Sequence, residues 1–289
     1  MNSADNKENR IKIAVLNIVL CGITLTLATG CGKTGSGNEE ARIVFGEAGA
    51  FRLGETQEIG FSFTDGQDRE VSVRNVPSGW QASVDNDANA ISLTCGIDAG
   101  ISGKYSMDIE ITDNTGNTEI TELVFQSEIV QGSPFFIGNE PVGVVVLEKT
   151  ANSDGMVICY RQESDDEWTD WNTCIQWIEK LRVQTKLDWE MPGNEDYEII
   201  YTIFNGSSSP NPNITYQNRF NEWFMNITKE PFFEKNSISF WSKTIVSEND
   251  DNRYTFVFKS NSSHDWIIPG TPLITTAGSS VNCMAILRF

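Results

Sequence analysis

Along much of its length this chain alternates apolar and polar residues with a period of two. Ile59, Phe61 and Phe63 alternate, then Val71 and Val73, then Ile91 and Leu93. Tyr105, Met107, Ile109 and Ile111 follow, and Ile120 precedes a shift of phase to Leu123 and Phe125. Such runs mark strands with one buried face. Turn residues separate them: Asp65-Gly66, Pro77-Ser78-Gly79, Asp85-Asn86-Asp87 and Asp113-Asn114-Thr115-Gly116-Asn117. Their side chains and backbone freedom favour tight reversals. Roughly six or seven strands with no helical period predict an immunoglobulin-like β-sandwich over residues 42–130.

The pattern changes after Gln131-Gly132-Ser133-Pro134. Two strands broken at Asn139-Glu140-Pro141 are expected between Phe135 and Leu147, and a third between Met156 and Tyr160. Trp171, Cys174, Ile175, Ile178 and Leu181 then follow the spacing of one helical face. A second helix carries Tyr197, Ile200, Tyr201 and Phe204, with Asn194 as its expected N-cap and Glu195 and Asp196 in its first turn. A shorter third helix is expected around Arg219 to Met225, and strands return at 239–244, 254–259 and 281–289. Strands, helices, long loops and strands again make 132–289 an α+β domain, and the whole chain a mixed α+β protein.

The beginning of the chain has a different character. Lys7, Arg10 and Lys12 precede an apolar run from Ile13 to Leu27 that closes on Ala28-Thr29-Gly30-Cys31. A charged head, a short apolar segment and small residues before a cut describe a secretory signal peptide over 1–30. Ending at a cysteine, the segment resembles a bacterial lipoprotein signal, which implies that Cys31 is lipidated and becomes the mature N-terminus. Residues 31–41, rich in Gly and Ser with Glu39 and Glu40 at the end, read as a flexible acidic tether. In gut Bacteroidetes an acidic cluster behind the lipidated cysteine resembles an export signal. It implies a lipid-anchored protein of the outer membrane, exposed at the cell surface.

Charge narrows the partners. Without residues 1–30 the chain keeps 18 basic and 38 acidic side chains, a net charge of -20. Nucleic acid and anionic lipid both require a basic face, so neither is expected as a partner, and the membrane is met through the lipid alone. Of six cysteines, Cys21 and Cys31 fall in the signal region, leaving Cys95, Cys159, Cys174 and Cys283. Four cysteines allow three pairings, and spacing does not choose among them.

The usual chemical signatures are largely missing. His264 is the sole histidine, which excludes two-histidine metal motifs and leaves a serine-type triad one candidate base, in a loop-like segment. Gly32-Lys33-Thr34 mimics the end of a phosphate-binding loop, yet Leu27 stands where its first glycine belongs. Asp85, Asp87 and Asn89 have the spacing of a calcium loop, but Ala90 and Gly96 occupy the positions that need glycine and glutamate. The segment reads as a solvated turn, and so does the acidic run from Ser247 to Asn252. No catalytic residue, metal site or cofactor is expected.

Two stretches carry a resemblance to known families. The segment from Val73 to Val84, with Asn75-Val76-Pro77-Ser78-Gly79-Trp80, resembles a segment of Ig-like modules at the N-termini of Bacteroides surface proteins. Over 132–289, five blocks occur in order: Pro141-Val142-Gly143-Val144-Val145, Trp171 to Trp177, Trp189-Glu190-Met191-Pro192, Phe240-Trp241-Ser242-Lys243-Thr244, and Val281 to Phe289. They resemble a family of secreted C-type-lectin-like domains named for the C-terminal domain of a collagen-like Legionella adhesin. Glu190 departs from the family's arginine or tyrosine, Gly193 from its hydroxyl residue, and Arg288 alone remains of its closing arginine pair.

The resemblance implies that the first helix is stapled to the last strand, through Cys174 and Cys283, with Cys159 as the rival partner of Cys174. Cys95 is expected as a buried thiol. It further implies a non-enzymatic surface lipoprotein, an Ig-like stalk that presents a lectin-like head to a host or dietary glycan or a surface protein. Contact is expected in the loops 205–217 and 261–280, which carry Tyr216, His264 and Trp266. The alternatives are a structural or assembly subunit, fimbria-associated or accessory to a nutrient importer, and an enzyme on a lectin-like fold.

Overall fold

The computed structural model describes residues 43–99, 101–160, 170–209, 211, 213–228, 238–246, 252–259, 270–276 and 281–289. The signal and tether region with Cys31, the acidic run 247–251, and His264 and Trp266 lie outside the described residues.

Seven strands build the first half. β1 (Ile43–Phe45), β2 (Thr56–Phe63), β4 (Trp80–Asp85) and β5 (Ala90–Cys95) form one antiparallel sheet in the order β1-β2-β5-β4. β3 (Glu70–Arg74), β6 (Gly103–Thr112) and β7 (Thr118–Ser127) form a second, in the order β3-β6-β7. The alternating residues face one shared core: Ile59, Phe61, Ile91 and Leu93 from one sheet, and Val71, Met107, Ile109, Ile111, Leu123 and Phe125 from the other. Trp80 joins the layers, its ring 4.7 Å from Phe125 and 5.2 Å from both Phe51 and Tyr105. The shift of phase expected in β7 is absent: its pairing with β6 runs unbroken from Gly103↔Ser127 to Thr112↔Thr118, so Ile120 faces outward like Val124 while Leu123 and Phe125 are buried.

The second half has two sheets of its own. β8 (Pro134–Ile137), β9 (Glu140–Leu147), β10 (Met156–Tyr160) and β14 (Met284–Arg288) run in the order β14-β10-β9-β8. β11 (Ile238–Ile245), β12 (Asn252–Lys259) and β13 (Thr271–Thr276) make the other sheet. Among the described residues three helices complete it, α1 (Trp171–Thr185), α2 (Asn194–Asn205) and α3 (Ile214–Thr228).

The first of these sheets is covered on both faces. Val145, Val157, Cys159, Ala285 and Leu287 join the cluster of α1 and the sandwich, whereas Val144, Val146, Met156, Ile158, Met284 and Ile286 join that of α2, α3, β11 and β12. Burial on both faces explains why these strands read as continuous apolar runs instead of alternating.

α1 begins at Asp170, whose carboxylate accepts from the Thr173 amide and hydroxyl, and ends at Lys186 in the left-handed region. Cys174 and Cys283 are joined by a disulfide, with Cα atoms 5.6 Å apart, across 109 residues. The bridge that the resemblance implies is therefore the one formed. Cys95 is a buried free thiol, and burial, with the Glu55 charge adding to it, pushes its pKa up to about 12.

Three further expectations are corrected. The N-cap of α2 is Gly193, not Asn194: the Gly193 amide donates to the Asp196 carboxylate at 2.7 Å, and Pro192 accepts from the Lys243 amide. That strand-like contact keeps the chain extended through Gly193, so the helix turns one residue earlier than the capping preference of asparagine suggests. α3 is longer than Arg219 to Met225 and takes Tyr216 and Gln217 out of the loop. β13 interrupts the expected loop 261–280, pairing with β12 from Thr271↔Val257 to Thr276↔Asn252. Its Thr-rich sequence alternates too weakly to announce a strand, and pairing with β12 supplies what propensity does not.

Candidate binding surface

Polar residues at the C-terminal end of α2 organise one edge of the second half. Asn205 is fully buried and satisfies four neighbours. Its amide nitrogen donates to the carbonyls of Ser209 and Asn211 at 2.8 and 2.9 Å. Its oxygen accepts from the Asn213 amide at 2.8 Å and from the Gln217 side chain at 3.2 Å. Tyr201 adds a hydroxyl donated to the Ser209 carbonyl at 3.3 Å. The loop after α2 and the first turn of α3 thus hang on one asparagine, and their polar backbone groups are bound from inside.

Two glycines set the close packing. Gly206 ends α2 with φ 72, and the Tyr216 ring lies against it, so that a methyl group on Gly206 would come 2.6 Å from ring carbon Cδ2. Gly270, with φ 80, packs in the same way on Tyr201, where a methyl group would come 2.6 Å from Cε1. Tyr201 therefore stands between the 206–213 loop and the residue that follows the segment carrying His264 and Trp266. Burial raises the pKa of Tyr201.

The outer side of this edge is wet and nearly uncharged. Ser207, Ser208, Asn211, Asn213, Ile214, Thr215 and Tyr216 are exposed. From Asn205 to Gln217 the sequence contains no Asp, Glu, Lys, Arg or His, in a chain of strongly acidic composition. Hydroxyls, carboxamides and one aromatic ring with an open face can form hydrogen bonds in both directions and offer an apolar plane. Of the three contact residues expected from sequence, Tyr216 stands here, on a helix and not in a loop. Asn205 and Gln217 bound the loop in which contact is expected, but as buried anchors; Tyr201 was not expected as part of the site, although the charge-free run from Asn205 to Gln217 was a legible signal.

Other candidates have structural roles. Asp85 accepts from the Ala88 amide, and Asn86 exchanges two hydrogen bonds with the Val71 backbone. The calcium-like spacing is therefore a turn that ties β4 to β3. Glu190, Asp196, Lys243 and Arg288 form a mixed charge cluster: Lys243 to Glu190 at 2.6 Å, Arg288 to Glu190 at 3.7 Å, and Arg288 directly to Asp196. Glu190 thus finds its cations on β11 and β14, and the four charges cancel. Among the described residues no group of three or more His, Cys, Asp or Glu side chains is placed to hold a metal ion, and no helix is long and apolar enough to cross a membrane.

No family model matches this chain, and no curated protein matches it. Among solved structures it is similar to an intimin mutant of EHEC O157:H7, at 13% identity and a TM-score of 0.25, over 82% of this chain and 87% of that chain.

Proposed function

We propose that this protein is a non-enzymatic, lipid-anchored surface protein that binds its target through the second half of the chain. In this reading residues 42–130 are an Ig-like stalk, residues 132–289 a C-type-lectin-like head, and Cys31 the anchor in the outer membrane. The observation that carries it is the exposed, charge-free set Gly206 to Ser208, Asn211 and Asn213 to Tyr216, held from within by Asn205 and Tyr201. Preorganised polar groups around an aromatic ring lose little freedom on binding. The target is a glycan or a surface protein, reached at the end of the tether.

The test is retention on a printed array of host and dietary glycans, and on immobilised extracellular-matrix proteins, with wild type and Tyr216→Ala compared. The reading expects retention on at least one probe and loss of most of it in Tyr216→Ala. Failure to bind any probe, or equal binding by the variant, overturns it.

An assembly subunit is the second reading, favoured by β7. This ten-residue strand lies at a sheet edge and exposes Ile120 and Val124, and such edges pair readily with another chain. Sedimentation of wild type against Val124→Lys separates the readings, since only assembly depends on that edge.

A further inference from the structure

The disulfide has a third cysteine beside it. Cys159 pairs directly with Ala285 across β10 and β14, and Cys283 lies two residues from Ala285. Cys283 immediately precedes β14, and carrying the strand's alternation one residue back puts it on the side of Ala285 and Cys159, whose cluster it joins. α1 covers that side with Cys174, and all three sulfurs belong to one apolar cluster. Cys159 lies outside the Cys174–Cys283 bridge.

Chain order adds a second fact. Cys159 and Cys174 are 15 residues apart in the sequence, whereas Cys174 and Cys283 are separated by 109. Loop-closure entropy favours the first encounter over the second by roughly 20-fold. β14 also follows β10 and α1 in the chain, so both exist before the native partner of Cys174 does.

We propose that Cys159 is a relay thiol in oxidative folding, holding Cys174 in a temporary bridge until β14 docks. In the first step a disulfide oxidant, such as oxidised glutathione or a thiol–disulfide oxidoreductase, accepts two electrons as Cys159 and Cys174 join and lose their protons. In the second step the Cys283 thiolate attacks the Cys174 sulfur. The Cys174–Cys283 bond forms, the Cys159–Cys174 bond breaks, and Cys159 leaves as a thiolate that takes up a proton. The exchange consumes no further oxidant. It is driven by the packing of β14 against β10, and it leaves the Cys159 thiol sealed in the core.

The test uses the full chain with Cys21→Ser and Cys31→Ser, so that Cys95, Cys159, Cys174 and Cys283 are the thiols present. The reduced, unfolded protein is refolded in a glutathione buffer, blocked with N-ethylmaleimide at intervals and mapped without reduction. A Cys159–Cys174 peptide should rise first and give way to Cys174–Cys283. Cys159→Ala should reach the native bridge several-fold more slowly, and Cys283→Ser should stop at Cys159–Cys174. Full alkylation of Cys159 in the Cys283→Ser variant, or unchanged kinetics in Cys159→Ala, overturns the proposal. Peptide mapping reads covalent bonds, so the Cys283→Ser result stands even if that variant fails to fold.

Discussion

Trp223 of α3 rests on Gly132 at the junction of the two halves, so closely that a methyl group on Gly132 would come 2.5 Å from the indole nitrogen. The chain needs glycine there twice over, because φ at this residue is +88. Arg219, stacked on Trp223, donates to the Gln131 side chain, and Gln131 donates in turn to the Val146 carbonyl. The junction is fastened by a helix that lies far ahead in the sequence. The junction is therefore covered, and residues 41–289 form one compact unit.

Limited proteolysis checks this. Wild type should resist cutting at 131–133, and Trp223→Ala should be cut there rapidly. Gly132→Ala should destabilise the protein by at least about 1–3 kcal/mol through backbone strain alone. In the Trp223→Ala background that loss should shrink, because the overlap is relieved while the strain remains.

The disulfide should contribute about 2–5 kcal/mol, since it closes a long loop in the unfolded chain. At about 2–4 °C per kcal/mol for a chain of this size, reduction or Cys174→Ser should lower the melting temperature clearly. Calorimetry with and without reductant measures it, and an unchanged transition refutes it.

Asn205→Ala should cost about 2–3 kcal/mol, because it strands the buried Gln217 side chain and frees the carbonyls of Ser209 and Asn211. Hydrogen exchange should quicken at the Asn213 amide in the variant. Protection equal to wild type would show that the loop is held by something else.

Acid should weaken the sandwich through its turns. Asp65, bonded chiefly to Arg69, has its pKa lowered to about 2, and Asp113 lies well below the usual carboxylate range through bonds to Thr115 and Asn117. Both are lower folded than unfolded, so their stabilisation is complete above about pH 4 and is lost as pH falls toward 2. Asp113→Asn should flatten the acid limb of a stability–pH profile. An identical slope in the variant would rule out this source.

Metabolic labelling with a fatty-acid analogue addresses the anchor. Wild type should be tagged, and Cys31→Ala should be untagged and released as soluble protein. A labelled variant would remove the lipoprotein reading.

Most strands of the sandwich were legible because one face is buried and one is wet, which writes a period of two into the sequence. The turn at Asp113 was legible for a local reason too, since its carboxylate bonds only to residues within four positions of itself. α1 was visible from its apolar stripe at helical spacing. The two-sided sheet gave runs without a period, and their pairing had to come from the fold.

What the sequence determined by itself is whatever depends on neighbours in the chain: alternation in β2, β5 and β6, the turns, the stripe of α1, the acidic charge and the charge-free run at 205–217. Tertiary structure decided whatever depends on distant partners. Gly193 caps α2 because the Lys243 amide holds Pro192 in an extended chain. α3 starts early because Asn205 receives the Asn213 amide. β13 is a strand because β12 pairs with it. Cys174 meets Cys283 because β14 packs beside β10 and brings the chain's end under α1. In each case the free energy resides in a contact between residues on different elements, and no local pattern encodes its partner.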